Sequence, residues 1–271
     1  MRKISLVTAA LIVWLSASAV AQVAFGPRVA VESHFLAADQ PRLELPKTIP
    51  LPRVSPELAL QLYSEHTTEQ ARRLAEYTDE TIVAAEIPQT NQKGEYELVR
   101  NFSAQPRSLS FRSIKFTGDN FVKTNVIVRL LQSEVDHVMK GDPAAGAINE
   151  TNYKISYKGT EELNGTTVHV FQLKPRKKNP SLFKGKIYID AYTGNLRRAE
   201  GTVSKSPSFF VKKIEFVQDF ADIDGFTVPV AMRSVAKARI IGKTIVNILH
   251  RGYVLRAKSD APVTAMISSG Q

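Results

Sequence analysis

The sequence contains no cysteine in its 271 residues. This absence excludes a disulfide framework, a Cys-ligated zinc or iron–sulfur site, a thiol nucleophile and thioether attachment of a lipid to this chain. Beyond the N-terminus, no apolar run approaches the ~20 residues that a membrane-spanning helix needs. Hydrophobic residues make up 43% of the chain and charged residues 23%, which is the composition of an ordinary globular domain.

The N-terminus has the pattern of a secretory signal. A short basic start, Met1-Arg2-Lys3, precedes the apolar run Ile4–Leu15, and Ala19-Val20-Ala21 is a small-residue cleavage site. We expect residues 1–21 to be a signal peptide that is cleaved after Ala21, which makes the mature protein exported and periplasmic. An uncleaved anchor is the alternative, but the apolar run is too short to span a bilayer.

The segment after the signal is rich in proline. Six of the 14 prolines lie between residues 27 and 56, and each one fixes φ and removes a backbone donor. The sequence therefore predicts an extended Pro-rich arm over residues 22–54, a folded domain over residues 55–256 and a flexible tail over residues 257–271.

The domain begins with a helix signal and continues mostly as strands. Ser55-Pro56-Glu57 predicts a helix start, with one kinked helix or two short ones reaching about Tyr77. Three β-like runs follow, and then apolar residues at three- and four-residue spacing predict a second helix over Val126–Met139. About seven further strands follow, with a predicted β-bulge at Lys212-Lys213. The predicted fold is α+β: a strongly curved antiparallel sheet of about ten strands, an unclosed half-barrel with helices packed on its concave face.

The turn chemistry of the second half resembles a known superfamily. Tyr157–Gly165, Val168–Pro175 and Gly185–Gly194 give a hairpin and then a strand that ends in Asp-x-x-Thr-Gly, and Asp222–Phe226 gives a later hairpin. In this order they resemble the LolA/LolB/RseB-like superfamily of outer-membrane lipoprotein-sorting carriers and periplasmic sensors, over roughly residues 55 to 253. The run Lys205–Lys213 resembles an uncharacterised exported bacterial subgroup.

The resemblance implies an apolar hollow that holds the acyl chains of a lipoprotein in transit. It does not place the carriers' ligand-holding basic residue on any position of this sequence. Apolar positions of the second helix and of the later strands are the candidate lining of the hollow, although the same residues would also suit an ordinary core. The candidate ligand-binding residues are Leu131, Val135, Val138, Tyr153, Ile155, Tyr157, Val168, Val170, Phe209, Val211, Phe226 and Val228.

Signals for catalysis are absent from the sequence. There is no nucleophile elbow, phosphate loop or dinucleotide fingerprint. Glu134 and His137 form a Glu-x-x-His pair, but a β-rich chain has no further helices to complete a di-metal site. Asp190 precedes a turn, where an aspartate typically accepts backbone hydrogen bonds. We therefore expect no enzyme activity, no cofactor and no metal.

Basic residues outnumber acidic ones, 36 to 26, which gives a formal net charge of +10. Most of the basic clusters fall at predicted hairpin ends or outward strand positions: Lys174/Arg176/Lys177/Lys178, Arg197-Arg198, Lys212-Lys213 and Lys237/Arg239/Lys243. They indicate either a solvated surface or attraction to anionic lipid head groups or an acidic partner. A nucleic acid fits poorly with export.

The sequence is compatible with two functions. The first is a periplasmic carrier of lipoprotein acyl chains or lipid, with the N-terminal arm or first helix as a lid that makes few fixed contacts. The second is an RseB-like envelope-stress regulatory or interaction module that binds a membrane-anchored envelope protein transiently.

Overall fold

The computed structural model describes residues 52–206, 211–239 and 242–258. The predicted signal peptide, nearly all of the arm, Phe209 and the tail from residue 259 lie outside the described residues. Ten strands make up most of the described chain. They are β1 (Leu74–Ile87), β2 (Gln92–Ala104), β3 (Arg107–Gly118), β4 (Tyr153–Leu163), β5 (Thr166–Pro175), β6 (Phe183–Asp190), β7 (Leu196–Val203), β8 (Val211–Ile223), β9 (Phe226–Ala238) and β10 (Gly242–Ala257).

The strands form one antiparallel sheet in the order β3-β2-β1-β10-β9-β8-β7-β6-β5-β4. Strands β3 and β4 are its two edges and do not pair with each other, so the sheet is not closed. Three strands before the second helix and seven after it confirm the predicted α+β fold class. The turn sequences behave as their chemistry predicts, since Asn164-Gly165 and Asp224-Gly225 adopt the positive φ values that tight hairpins require.

The predicted β-bulge is also confirmed. The register of β8 against β9 shifts between Val211 and Lys213. Because of this shift, Val211 and Ile214 both point into the same buried cluster, although the sequence alone puts them in opposite phases.

Two helical segments cover one face of the sheet, which we call the inner face. Helix α1 spans Pro56–Arg73. The second segment is continuous and consists of α2 (Asn120–Val122), a π-helical stretch (Lys123–Ile127) and α3 (Val128–Lys140). Among the described residues, neither segment has the length and apolarity to cross a membrane as a helix.

The first helix is shorter than the sequence predicted. It ends at Arg73, and β1 begins at Leu74 rather than near Thr81. The inward positions near the start of this strand include Asp79, which the prediction left out of the strand, and Thr81, where the predicted strand began; both are polar, so the alternation of period two does not show in a hydrophobicity pattern. These polar residues belong to the site described below.

The buried residues of the inner face fall into two main clusters. The α1 core lies beneath α1 and combines Ala59 and Tyr63 with strands β4 to β8, for example through Phe183 and Phe216. The α3 core lies beneath the second segment and combines Ile127 and Leu130 with strands β1, β2, β9 and β10. Each helix therefore covers its own half of the sheet.

Candidate functional site

The α3 core is built from side chains of four strands and one helical segment. Its wall on the sheet side is apolar and consists of Val83, Ala85, Ile87, Leu98, Met232, Val246 and Ile248. Val122 and Ile127 of the helical segment are fully buried against it. Helical side chains thus occupy the space over the wall, and they are the groups that any ligand there would have to replace.

A buried cluster of charged residues lies at one end of this wall. Arg100 on β2 is only 1% exposed. Its Nε donates to Oδ2 of Asp79 at 2.7 Å, its Nη1 to Oε1 of Glu134 at 3.1 Å and its Nη2 to the Tyr253 hydroxyl at 2.7 Å. Asp79 and Tyr253 belong to the sheet, whereas Glu134 belongs to α3, so the guanidinium joins the second helix to the sheet.

Further polar contacts to Asp79 and Tyr253 hold this cluster in place. The Thr81 hydroxyl donates to Oδ1 of Asp79 at 2.6 Å, and His250 Nδ1 lies 3.2 Å from the same oxygen. Tyr253 in turn donates its hydroxyl proton to the Pro229 carbonyl at 2.6 Å. Buried ionic groups need this degree of hydrogen bonding, because an unpaired one would cost several kcal/mol.

Burial changes the protonation behaviour of the cluster. It raises the pKa of Glu134, and the nearby Arg100 charge offsets this only in part. Burial also lowers the pKa of His250 to about 4, and the Arg100 charge adds to that effect. For Asp79, burial acts to raise the pKa, but the hydrogen bond from His250 and the charge of Arg100 together bring it below its usual value. At neutral pH, His250 is therefore neutral and Asp79 is ionised.

This arrangement can fasten one helix to the sheet, and it shows no arrangement typical of catalysis. Arg100, Asp79, Glu134 and Tyr253 form hydrogen bonds with one another, whereas the buried hydroxyl of Tyr77, whose ring centroid lies 5.0 Å from Arg100 Cζ, has no hydrogen-bond partner among the residues that the structure describes. Within residues 52–206, 211–239 and 242–258, no three His, Asp or Glu side chains are grouped as metal ligands.

The structure distributes the sequence-predicted lining residues over several places. Leu131 and Val138 are buried on α3, and Val135 is half-buried there. Tyr153, Ile155 and Val211 belong to the α1 core. The structure therefore places the two groups in different parts of the inner face, the first on α3 and the second beneath α1.

The remaining lining residues lie elsewhere. Phe226 and Val228 form a third cluster with Tyr77 and Tyr253, next to the buried ions. Val168 and Val170 lie on the opposite face of β5 from Phe171 and pack with Tyr188. Tyr157 is 42% exposed, and Phe209 is outside the described residues.

The other two sequence candidates have clear structural roles. Oδ1 of Asp190 accepts the backbone N–H groups of Tyr192 and Thr193 at 2.9 and 3.1 Å, which confirms its prediction as a turn-closing residue. Glu134 pairs with Arg100, as described above.

Sequence reasoning missed the Arg100 cluster, although one signal of it was present. Glu134 falls on the apolar stripe of α3, four residues after Leu130 and four before Val138. A carboxylate on a buried stripe needs a buried cation. The position of that cation, 34 residues earlier in the chain, could not be read from the pattern.

The fold and the site thus define a class of proteins in which an open antiparallel sheet has an apolar wall, and a helix covers that wall and is attached to the sheet by a buried ion pair. The chain belongs to a family of unknown function, DUF5686, whose model matches residues 59–250. No curated protein matches the sequence significantly.

Several solved structures are similar to this chain. A domain assigned to outer membrane lipoprotein sorting, from Vibrio parahaemolyticus, has 11% identity and a TM-score of 0.38 over 73% of this chain and 92% of its own. A LolA superfamily protein from Nitrosomonas europaea has 11% identity and a TM-score of 0.35 over 76% and 96%. The MucA/MucB complex of Pseudomonas aeruginosa has 11% identity and a TM-score of 0.22 over 74% of this chain and 98% of its own. Identities and scores of this size concern the fold and say nothing about what the present chain binds.

Proposed function

We propose that this protein is a non-enzymatic periplasmic carrier that holds acyl chains of a lipoprotein or lipid against the wall of the α3 core. The proposal includes the predicted export signal over residues 1–21 and a carrier domain over residues 55–256. The observation that carries it is the apolar wall from β1, β2, β9 and β10, which is covered by a single helical segment.

The wall has the chemistry that an acyl chain requires. Each methylene that leaves water contributes ~0.8 kcal/mol, and no polar group of the wall has to be satisfied. Val122, Ile127 and Leu130 now make the contacts that acyl chains would make. Displacing the segment therefore exchanges one set of apolar contacts for another, which keeps the free-energy difference between the two states small.

The fastening of α3 also suits a carrier that must open. A buried ion pair contributes little net stability, because the desolvation of both charges offsets their attraction. It does, however, define one position for the helix. The contact between Glu134 and Arg100 therefore fixes where the closed helix lies without making the closed state very stable.

The first helix is less suited to move than the sequence suggested. Ala59 and Tyr63 are buried in the α1 core, and the Val54 backbone N–H just before the helix donates to the Ala191 carbonyl at 2.8 Å. These fixed contacts differ from the expectation of a loosely held first helix. We assign the moving part to the second segment because it is the helical segment that covers the α3 wall, and because its solvent side is itself partly apolar at Phe121, Val128 and Met139.

Displacement of a fluorescent fatty acid, with native mass spectrometry of the gently purified mature chain, tests the proposal. Val246→Phe fills the α3 wall, and Val203→Phe makes the same change in the α1 core; the two valines are equally buried, at 9% exposure. Because each substitution overpacks a buried site, the free energy of unfolding should fall by a similar amount in both variants, about 1–3 kcal/mol. We expect Val246→Phe to weaken fatty-acid binding at least tenfold and Val203→Phe to leave it nearly unchanged.

Two results would overturn the proposal. If neither co-purified lipid nor fatty-acid binding is found, the protein is not an acyl carrier; capture of a membrane-anchored partner under the same conditions would then favour the RseB-like alternative. If the two variants lose binding equally, the acyl chain does not occupy the α3 wall.

A further inference from the structure

The face of the sheet opposite the helices, which we call the outer face, carries lysines directly opposite one another. Lys213 on β8 is paired in register with Lys237 on β9, and Lys237 with Lys243 on β10. Lys154 on β4 is likewise opposite Lys174 on β5. All five are exposed. Directly opposed residues share a face with Cβ atoms ~5 Å apart, so these like charges destabilise the strand pairing.

The strand register places the lysines of β8 to β10 and the lysines of β4 and β5 on the same face of the sheet. Lys174 shares its side of β5 with Gln172, which is opposite Lys186 on β6. Lys186 is opposite Glu200 on β7, and Glu200 is opposite Val217 on β8. Val217 has the same orientation as Lys213, four residues earlier in that strand.

We call this surface the lysine face and define it as Lys154, Lys174, Lys186, Lys213, Lys237 and Lys243. It runs from β4 to β10, a width of six strand spacings or roughly 29 Å.

Acidic residues neutralise only a small part of the lysine face. Glu215 lies 2.6 Å from Lys213 Nζ, and Glu200 accepts a hydrogen bond from Tyr188. Among the described residues, no carboxylate is paired with Lys154, Lys174, Lys237 or Lys243. Elsewhere on the sheet some basic residues are paired with carboxylates, as Arg198 is with Asp219 and Arg251 with Glu80, and lysines opposite a charged residue face an acid, as Lys115 faces Glu97. The lysine face therefore keeps a repulsive arrangement that the rest of the sheet avoids.

We propose that the lysine face docks the protein on an anionic lipid bilayer. Its width is about three times the ~10 Å Debye length at 0.1 M salt, so it presents an extended field rather than a single binding point. Its six defining cations are lysines, which act as point charges and lack the fork with which arginine grips one carboxylate or phosphate in a fixed geometry. Arg233, opposite Val217 on the same face, is an arginine, and its Nη1 donates to Oδ1 of Asn247 at 3.2 Å. A diffuse layer of anionic head groups matches this surface better than one acidic peptide does.

The expected strength follows from the number of lysines. Each basic residue near an anionic membrane contributes about 1 kcal/mol, or roughly a fivefold change in partitioning. Removing three of them should lower membrane binding by about 100-fold. This inference depends only on the outer face and does not rest on the proposed acyl-chain site.

Vesicle co-sedimentation tests the proposal, with the mature chain from Gln22 and vesicles of phosphatidylcholine with or without 30% phosphatidylglycerol. The test variant is Lys213→Gln/Lys237→Gln/Lys243→Gln. The control is Arg112→Gln/Lys158→Gln/Arg256→Gln, which removes the same charge from exposed positions outside the lysine face. We expect about a 100-fold loss on anionic vesicles for the first variant and less than a fivefold loss for the second.

Further measurements confirm or overturn the proposal. Docking should weaken steeply between 50 and 500 mM salt, and the lysine variant should be at least as stable to urea as the wild type, because repulsion has been removed. Equal losses in both variants, or equal binding to neutral vesicles, would overturn the proposal. Stronger competition by polyaspartate or nucleic acid than by anionic vesicles would overturn it as well. Val246→Phe should dock like the wild type, which separates this test from that of the acyl-chain site.

Discussion

Helices α1 and α3 cover the same face of one sheet, but they are attached to it by different forces. The α1 core is apolar, with rings such as Phe183 and Phe216 packed edge to face, 5.1 Å apart between centroids. The α3 core has an apolar wall as well, but it adds the buried contact from Glu134 to Arg100. Helix α1 is therefore held by buried apolar area and by neutral hydrogen bonds such as that between His66 and Asn195, whereas α3 is held by buried apolar area together with a buried ionic contact.

The difference shows what a buried ion pair contributes to a helix–sheet interface. Apolar contacts are non-directional and fall away gradually as a helix slides. The ionic contact exists at one position only, and a substitution that removes one partner leaves the other charge buried and unpaired. The α3 half should therefore respond to substitution and pH as a switch-like unit, whereas the α1 half should respond in small, additive steps.

Removal of the Arg100 guanidinium should cause the largest loss of stability in the α3 half. Arg100→Met leaves the carboxylates of Asp79 and Glu134 buried without their partner. We expect a loss of about 3–5 kcal/mol in the free energy of unfolding, measured by urea denaturation.

A triple variant separates lost charge pairing from lost packing. Asp79→Val/Arg100→Met/Glu134→Leu removes all three charges and leaves Thr81 and His250 to bond each other. It should recover most of the stability that Arg100→Met loses, because apolar groups replace a buried ionic cluster at little net cost. If the triple variant is no more stable than the single one, the cluster is held by shape rather than by charge.

A smaller effect is expected from pH, and it should come from the α3 half. The pKa of His250 falls from about 6.5 in the unfolded chain to about 4 in the folded protein because of burial. A lowered histidine pKa means that its contribution to stability is complete above pH 6.5 and is lost as the pH falls to 4. The loss should reach about 3 kcal/mol.

Urea unfolding of the wild type and His250→Gln at pH 7, 5.5 and 4.5 measures this contribution. Glu134 acts in the opposite direction, since its raised pKa favours the folded state when it takes up a proton. The variant should therefore lose much less stability on acidification than the wild type. Parallel curves for the two proteins would show that His250 does not titrate on unfolding.

The sequence predicts the α1 half better than the α3 half, and the reason is physical. The Ser55 helix start, the Asn164-Gly165 turn and the Lys212 bulge are local features, and local chemistry determines them. The number of strands and their order along the chain follow from the same turns. The Arg100 cluster instead joins residues from β1, β2, α3 and β10, and no local pattern encodes their meeting.

The buried ions also concealed part of the fold. Asp79 and Thr81 are inward residues of β1, and Arg100 is an inward residue of β2. Polar residues at inward positions remove the alternation by which a half-buried strand is recognised. The runs that contain Thr81 and Arg100 were nevertheless predicted as strands. The error arose because Leu74 and Ala75 continue the helical spacing from Ala71, so residues up to about Tyr77 were predicted as helix, and the polar Asp79 gave no signal that the strand begins at Leu74.

The smallest effect is expected at the start of α1, where the additive character of that half can be tested. The Ser55 hydroxyl accepts the Leu58 backbone N–H at 3.2 Å and caps the helix. Ser55→Ala should lower the free energy of unfolding by about 1 kcal/mol, at any pH from 4.5 to 7. Ser64→Ala is the matched control: it lies exposed in the middle of the same helix, where alanine is the better helix former and stability should rise slightly. Combined with Arg100→Met, Ser55→Ala should add its own loss unchanged, because the two sites share no partners. A clear departure from that sum would mean that the two helices do not cover independent halves of the sheet.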